Sequence, residues 1–119
     1  MDEKVKLALA QDQVIDITTT GRKSGEKHRI EIWFHNQDGR LFITGTPGKR
    51  SWYANLVAHP EFIFHVKRSA QADLPARARP ITAEAERREI MQGILTKLER
   101  TQDLEAWVTG SPLVEVTLL

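Results

Sequence analysis

Two short basic loops carry the residue types most able to do chemistry in this chain. The first, Gly21-Arg22-Lys23-Ser24-Gly25, places two cations and a hydroxyl between glycines. Glycines at both ends permit the positive φ of a tight turn and remove Cβ atoms that would hold a ligand off the backbone. Arg22 and Lys23 supply charge, Ser24 supplies a hydroxyl, and freed backbone N–H groups complete an anion-binding concavity. A solvated hairpin turn would carry the same residues. The second loop, Gly45-Thr46-Pro47-Gly48-Lys49-Arg50, opens onto Ser51, read as the cap of a helix beginning at Trp52. A strand, a loop and a helix N-terminus in that order can hold an anion on backbone N–H groups, with Lys49 and Arg50 beside it. It is not a P-loop: the glycines are too close together, and Arg50 stands where a Mg²⁺-holding Ser or Thr is needed. Here too a capped helix with solvated cations is the alternative. Trp52 or Tyr53 can stack on a flat ring and Asn55 can hydrogen-bond it, or they anchor the core.

Other constellations are missing. His28, His35, His59 and His65 show no metal-ligand spacing. Ser24, Ser51, Ser69 and Ser111 have no nucleophile-elbow context, and Glu84 and Glu86 read as solvated helix charges. With no cysteine, thiolate nucleophiles, disulfides and iron–sulfur ligation are excluded. Nothing points to a hydrolase.

The elements that must position the loops come from periodicity. Val14 to Thr20 is β-branched and reads as a strand. His28 to His35 alternates, with Ile30, Ile32 and Phe34 on one face and Arg29, Glu31, Trp33 and His35 on the other. Asp38-Gly39 marks a hairpin into a strand at Leu41 to Gly45. The Trp52 to His59 helix stops at Pro60, and strands follow at Glu61 to Lys67 and Ala72 to Pro80, the latter an edge or bulged strand because of Pro75. Thr82 caps the clearest helix, with Ile90, Met91, Ile94, Leu95 and Leu98 as its stripe and Glu84–Arg88 as a supporting pair. Residues 103–108 form a short helix, Leu113 to Leu119 a last strand, and residues 2–11 a short helix or a strand edge. Six strands joined mostly by short turns imply antiparallel pairing, and such a sheet curls to protect its edges. The expected fold is mainly β within the α+β class: a small antiparallel barrel with two or three peripheral helices, both basic loops at one mouth, and one domain over residues 1–119.

Composition sets bounds. The 119 residues suffice for one core, and charged residues at 28% with hydrophobic residues at 40% are ordinary for a soluble chain. A net charge of +1 gives no global field toward nucleic acid or anionic membrane, so an anion site must be local. Arg77, Arg79, Arg87 and Arg88 read as a solvated face. No run reaches the length of a membrane span and no signal peptide opens the chain, so a cytoplasmic protein is expected.

The blocks Thr18-Thr19-Thr20-Gly21-Arg22-Lys23-Ser24-Gly25, Trp33-Phe34, Gly45-Thr46-Pro47-Gly48, Trp52-Tyr53-Ala54-Asn55-Leu56 and His59-Pro60 resemble the deazaflavin-dependent nitroreductase family. That family has split β-barrels related to flavin- and pyridoxamine-phosphate-oxidase barrels. The resemblance implies coenzyme F420, a deazaflavin with a phospholactyl-oligoglutamate tail, whose reduced form passes hydride to quinones, nitro compounds or other electron-poor acceptors. It implies that Arg22, Lys23 and Ser24 hold the phosphate or acidic tail and that Thr46, Gly48 and Lys49 line the ring or phosphate side. Trp52 and Asn55 would shape the pocket, with His28 and Arg50 completing the set. The chain departs from the family at Glu31, where relatives commonly carry proline, and in lacking a tyrosine-bearing C-terminal segment, since Tyr53 is its one tyrosine. The substrate side is expected near Glu31 and Trp33. FMN is the alternative ligand, a non-catalytic carrier the alternative role, and the assembly a monomer or homodimer.

Overall fold

Alternating side chains make each strand two-faced, and here the sheet closes so that every inner face meets another. A computed structural model describes residues 1–119. Its strands are β1 (Val14–Thr20), β2 (Lys27–Gln37), β3 (Arg40–Thr44), β4 (Glu61–Val66), β5 (Ala72–Pro80) and β6 (Leu113–Leu118). They are ordered β1-β2-β3-β6-β5-β4 with β4 returning to β1, all antiparallel, in a closed barrel. Asp38 and Gly39 have φ of 54° and 91°, the left-handed pair that a two-residue hairpin needs between Gln37 and Arg40.

Parity sorts the apolar side chains into two cores. Ile15, Ile17, Phe34, Ile43, Phe64 and Val114 fill the barrel, where Phe34 and Phe64 meet edge to face at 5.3 Å. The same core takes Val5, Ala8 and Leu9 from α1 (Glu3–Gln11), and Trp52 and Leu56 from α2 (Ser51–Ala58). Phe42, one residue out of step with Leu41 and Ile43, points the other way. It packs with Ile90, Met91, Ile94 and Leu95 of α3 (Glu84–Lys97) and with Trp107 and Val108 of α4 (Leu104–Gly110). The helical pair therefore covers the outside of β3 and β6.

The antiparallel barrel is as expected, with adjustments. There are four α-helices rather than two or three, since residues 3–11 are helical and not a strand edge. The caps shift by a residue: Arg50 precedes α2 with Ser51 inside it, and Ala83 rather than Thr82 precedes α3. Pro75 is not on an edge strand. Its carbonyl faces the β6 side, accepting the Leu119 N–H at 2.9 Å, and pairing with β6 begins only at Ala76, so a missing N–H on that same side removes no ladder bond. Arg88 does pair with Glu84 at 3.0 Å, but Arg87 does not belong to a solvated face, being only 9% exposed.

His35, half-buried on β2 near Lys97, is pushed down to about 4 by desolvation and then by the Lys97 charge. The folded protein thus keeps His35 neutral while the unfolded chain takes up a proton near the ordinary value of about 6.5. The unfolded state binds more protons in between, so stability is lost as pH falls from about 6.5 toward 4, by up to about 3 kcal/mol. Urea unfolding across that window should show a shallower slope for His35→Gln than for the wild type. Parallel slopes would contradict this.

Candidate functional site

The first basic loop is a tight knot at the end of β1. Gly25 N–H donates to the Gly21 carbonyl at 3.0 Å, Gly21 N–H to Glu26 at 2.7 Å, and Glu26 N–H to Ser24 Oγ at 3.1 Å. Only Gly25 has the positive φ (72°) expected of both glycines. Gly21 is needed for space: a Cβ there would lie 2.5 Å from Ser24 Oγ and 3.0 Å from His28 Nε2. The second loop is knitted by its own cation. Arg50 donates to the Thr46 carbonyl at 3.0 Å, to Thr46 Oγ1 at 2.8 Å and to the Lys49 carbonyl at 3.1 Å. Gly48, at φ 134°, donates its N–H to the Gly110 carbonyl at 3.0 Å, tying the loop to the end of α4.

Asn55 joins the two loops. Its Oδ1 accepts the Arg22 N–H at 3.1 Å and its Nδ2 donates to Thr19 Oγ1 at 3.1 Å, with Asn55 and Thr19 both buried. Each end of the carboxamide thus has a protein partner, and it holds the Arg22 main chain in place. Trp52 is buried, at 6.0 Å edge to face from Tyr53.

Two clefts open around this junction. One of about 980 Å³ runs between the Gly48–Ser51 segment and the residues flanking α3 and α4. The other, about 460 Å³, lies over the first loop and includes Lys23, Ser24, His28 and Trp52. They share Arg22, Ser51 and Asn55. Their cations are Arg22, Lys49, Arg50 and Arg87 on the larger and Arg22 and Lys23 on the smaller, which also has His28, with no Asp or Glu lining either. None of Arg22, Lys23, Lys49, Arg50 or Arg87 is in an ion pair, whereas Arg40, Lys67, Arg79 and Arg88 on the outer surface each meet one or more carboxylates. Unneutralised cations at the start of a helix leave both concave surfaces with positive potential.

Of the residues expected at a site, Arg22, Lys23, Ser24, His28, Gly48, Lys49, Arg50, Trp52 and Asn55 all line these clefts. Thr46 supports Arg50 from behind. Glu31 and Trp33 lie elsewhere, on the outer face of the barrel. Glu31 is bound by Lys67 and approached by Arg68, and Trp33 stands 49% exposed. Sequence reading missed Arg87 and Ser111. Arg87 carried a signal, since it falls three and four residues before Ile90 and Met91 of the apolar stripe. Its guanidinium donates to four carbonyls, those of Ile81, Trp107, Val108 and Ser111, and burial holds its pKa below the usual guanidinium range. Ser111 gave none, because Gly110-Ser111-Pro112 reads as a chain break.

A third cleft, about 700 Å³, contains a hydroxyl–imidazole–carboxylate series: Thr18 Oγ1 to His65 Nε2 at 2.7 Å, and His65 Nδ1 to Asp73 at 2.7 Å. The His65 hydrogen bond holds the Asp73 carboxyl below the usual carboxylate range. Thr18 lies on a strand paired on both sides, with Arg29 and with Ile63, which leaves no backbone N–H to stabilise an oxyanion. The series satisfies both nitrogens of a buried histidine rather than building an acyl-transfer site.

The barrel and the cationic double cleft together define a small closed-barrel protein with a positively charged, acid-free cleft. Solved structures share the fold: a conserved hypothetical protein from Mycobacterium tuberculosis (14% identity, 99% of this chain and 81% of that one, TM-score 0.73), an FAD-binding protein from Mesorhizobium loti (14%, 100% and 91%, 0.70), and an F420-H2 dependent reductase, FDR-A (21%, 89% and 95%, 0.66). The family model described as F420H(2)-dependent quinone reductase matches residues 2–116, and the chain belongs to that family. It is an F420-dependent reductase. The residues present fit such a cofactor, because an acid-free set of cations and a buried hydroxyl without a partner, Ser111 Oγ, await an anionic, oxygen-rich ligand.

Asn55→Ala removes two hydrogen bonds and strands Thr19 Oγ1 and the Arg22 N–H. It should lower stability by about 2 kcal/mol in urea unfolding. Loss of only a few tenths would show that the bridge between the loops is dispensable.

Proposed function

We propose that the chain carries out two-electron reduction of a small electron-poor acceptor, a quinone or a nitro compound, at the junction of the two clefts. The carrying observation is the shared wall of Arg22, Ser51 and Asn55 between two acid-free cationic clefts. When bound, the reduced deazaflavin supplies the hydride. The chain supplies position and charge. Arg22, Lys23 and Lys49 neutralise the phosphate and glutamyl carboxylates of the tail. Arg50 keeps the Gly45–Lys49 turn in shape through its bonds to Thr46 and Lys49. Asn55 fixes Arg22, and Trp52 closes the floor of the smaller cleft. No protein nucleophile takes part, in keeping with a site that has cations, hydroxyls and amides but no thiol or carboxylate. No helix is long and apolar enough to cross a membrane.

Fluorescence titration with F420 and, in parallel, with FMN tests the ligand, and oxidation of reduced F420 by menadione and a nitroimidazole tests the acceptor. F420 should bind more tightly than FMN. Arg22→Ala with Lys23→Ala should weaken F420 at least about tenfold, as expected for lost charge-assisted bonds. Both acceptors should be reduced at rates that saturate. Absence of F420 binding at high micromolar concentration contradicts the cofactor assignment. Binding without reduction of any acceptor in the panel favours a carrier.

A further inference from the structure

Ser111 is 5% exposed, its hydroxyl has no hydrogen-bond partner, and it lines the larger cleft beside Lys49, Arg50 and Arg87. A buried hydroxyl left unpaired is unfavourable by about 1–3 kcal/mol, so each one needs a reason. The chain on both sides of it is held by hydrogen bonds that do not involve the hydroxyl. Ser111 N–H is bonded to the Trp107 carbonyl at 3.1 Å, and its own carbonyl takes the Arg87 guanidinium at 2.5 Å. On one side the Gly110 carbonyl holds Gly48, and on the other the Pro112 carbonyl accepts from Thr44 Oγ1 at 2.5 Å. A Cβ on Gly110 would come within 3.2 Å of Pro47 Cβ, so the two loops are already in close contact.

The nearby acceptors are also spoken for. Arg87 occupies the carbonyls of Ile81, Trp107, Val108 and Ser111, and no carboxylate neutralises it. A serine hydroxyl can turn its proton toward whichever acceptor arrives. In a cleft whose charged side chains are all cations, that acceptor is an anionic oxygen.

We infer that Ser111 donates a hydrogen bond to an oxyanion oxygen of the cofactor's phosphate-and-carboxylate tail, which makes the α3–α4 side of the cleft part of the binding site. The inference rests on the cofactor reading above. Arg87 acts as a positioning residue: it fixes the Ser111 carbonyl and adds positive potential without touching the ligand. The cationic loops then grip the tail from one side and Ser111 from the other.

The test compares Ser111→Ala with the wild type in two measurements. The first is the melting temperature of the ligand-free protein, which should be unchanged or higher, because the lost hydroxyl had no partner. The second is fluorescence titration with F420 and with the deazaflavin chromophore that lacks the phosphate and glutamate tail. F420 affinity should fall about five- to thirtyfold in the variant, while the tail-less compound binds variant and wild type alike. Equal F420 affinity in the two proteins would overturn the inference and leave the cofactor assignment standing. So would an equal loss for both ligands, or a lower melting temperature in step with the weaker binding. Failure of the wild type to bind F420 overturns both.

Discussion

Arg22, Lys23, Lys49, Arg50 and Arg87 gather around one pair of clefts with no carboxylate among them, and the fold has to hold them there against their mutual repulsion. It does so with backbone and amide groups rather than with acids. Asn55 anchors the Arg22 main chain, Arg50 is bound by carbonyls and a hydroxyl of its own loop, and Arg87 is wrapped by carbonyls from the ends of α3 and α4. Neutral dipoles fix a cation in space without cancelling its charge. The positive potential is left for a ligand, already organised before the ligand arrives.

The rest of the barrel shows the opposite treatment of charge. Asp16 and Glu31 share Lys67, and the Lys67 hydrogen bond, assisted by Arg29, keeps Asp16 below the usual carboxylate range. Glu115 is bonded by both Arg40 and Arg79, and Arg79 also reaches Glu86 on α3, so the helix is tied to β3, β5 and β6 by a small ion network. Such exposed pairs add little stability singly. Their consequence is that Arg40, Lys67 and Arg79 are neutralised locally, unlike the cations of the clefts.

Much of this could be read from the chain because its local rules agree. Asp38-Gly39 announces a left-handed turn, and alternation along residues 28–35 announces a two-faced strand; the glycine-bounded basic loops do lie beside clefts. The reading stopped where the decisive contact is long-range. Asn55 reads locally as a ring-facing amide or a core anchor, and its bonds to residues 33 and 36 positions away leave no mark on local spacing. Arg87 was counted with its charged neighbours although its place in the apolar stripe put it on the inner face of α3. Glu31 and Trp33 draw attention as a departure from the family pattern and as a Trp on a polar strand face, and closure of the barrel places that face of β2 outside the clefts. Ser111 was invisible because its position depends on two loops more than 60 residues apart meeting at Gly48 and Gly110.

If unpaired cations are the basis of recognition, cofactor binding must be electrostatic in a way that salt reveals. Titration of the protein with F420 over a series of ionic strengths, beside the tail-less deazaflavin chromophore, measures this directly. F420 affinity should fall steadily as salt rises and the Debye length shrinks, while the weaker binding of the tail-less chromophore changes much less. An F420 affinity indifferent to salt, or equal to that of the tail-less compound at low salt, would contradict the view that this cleft is built around an anionic tail.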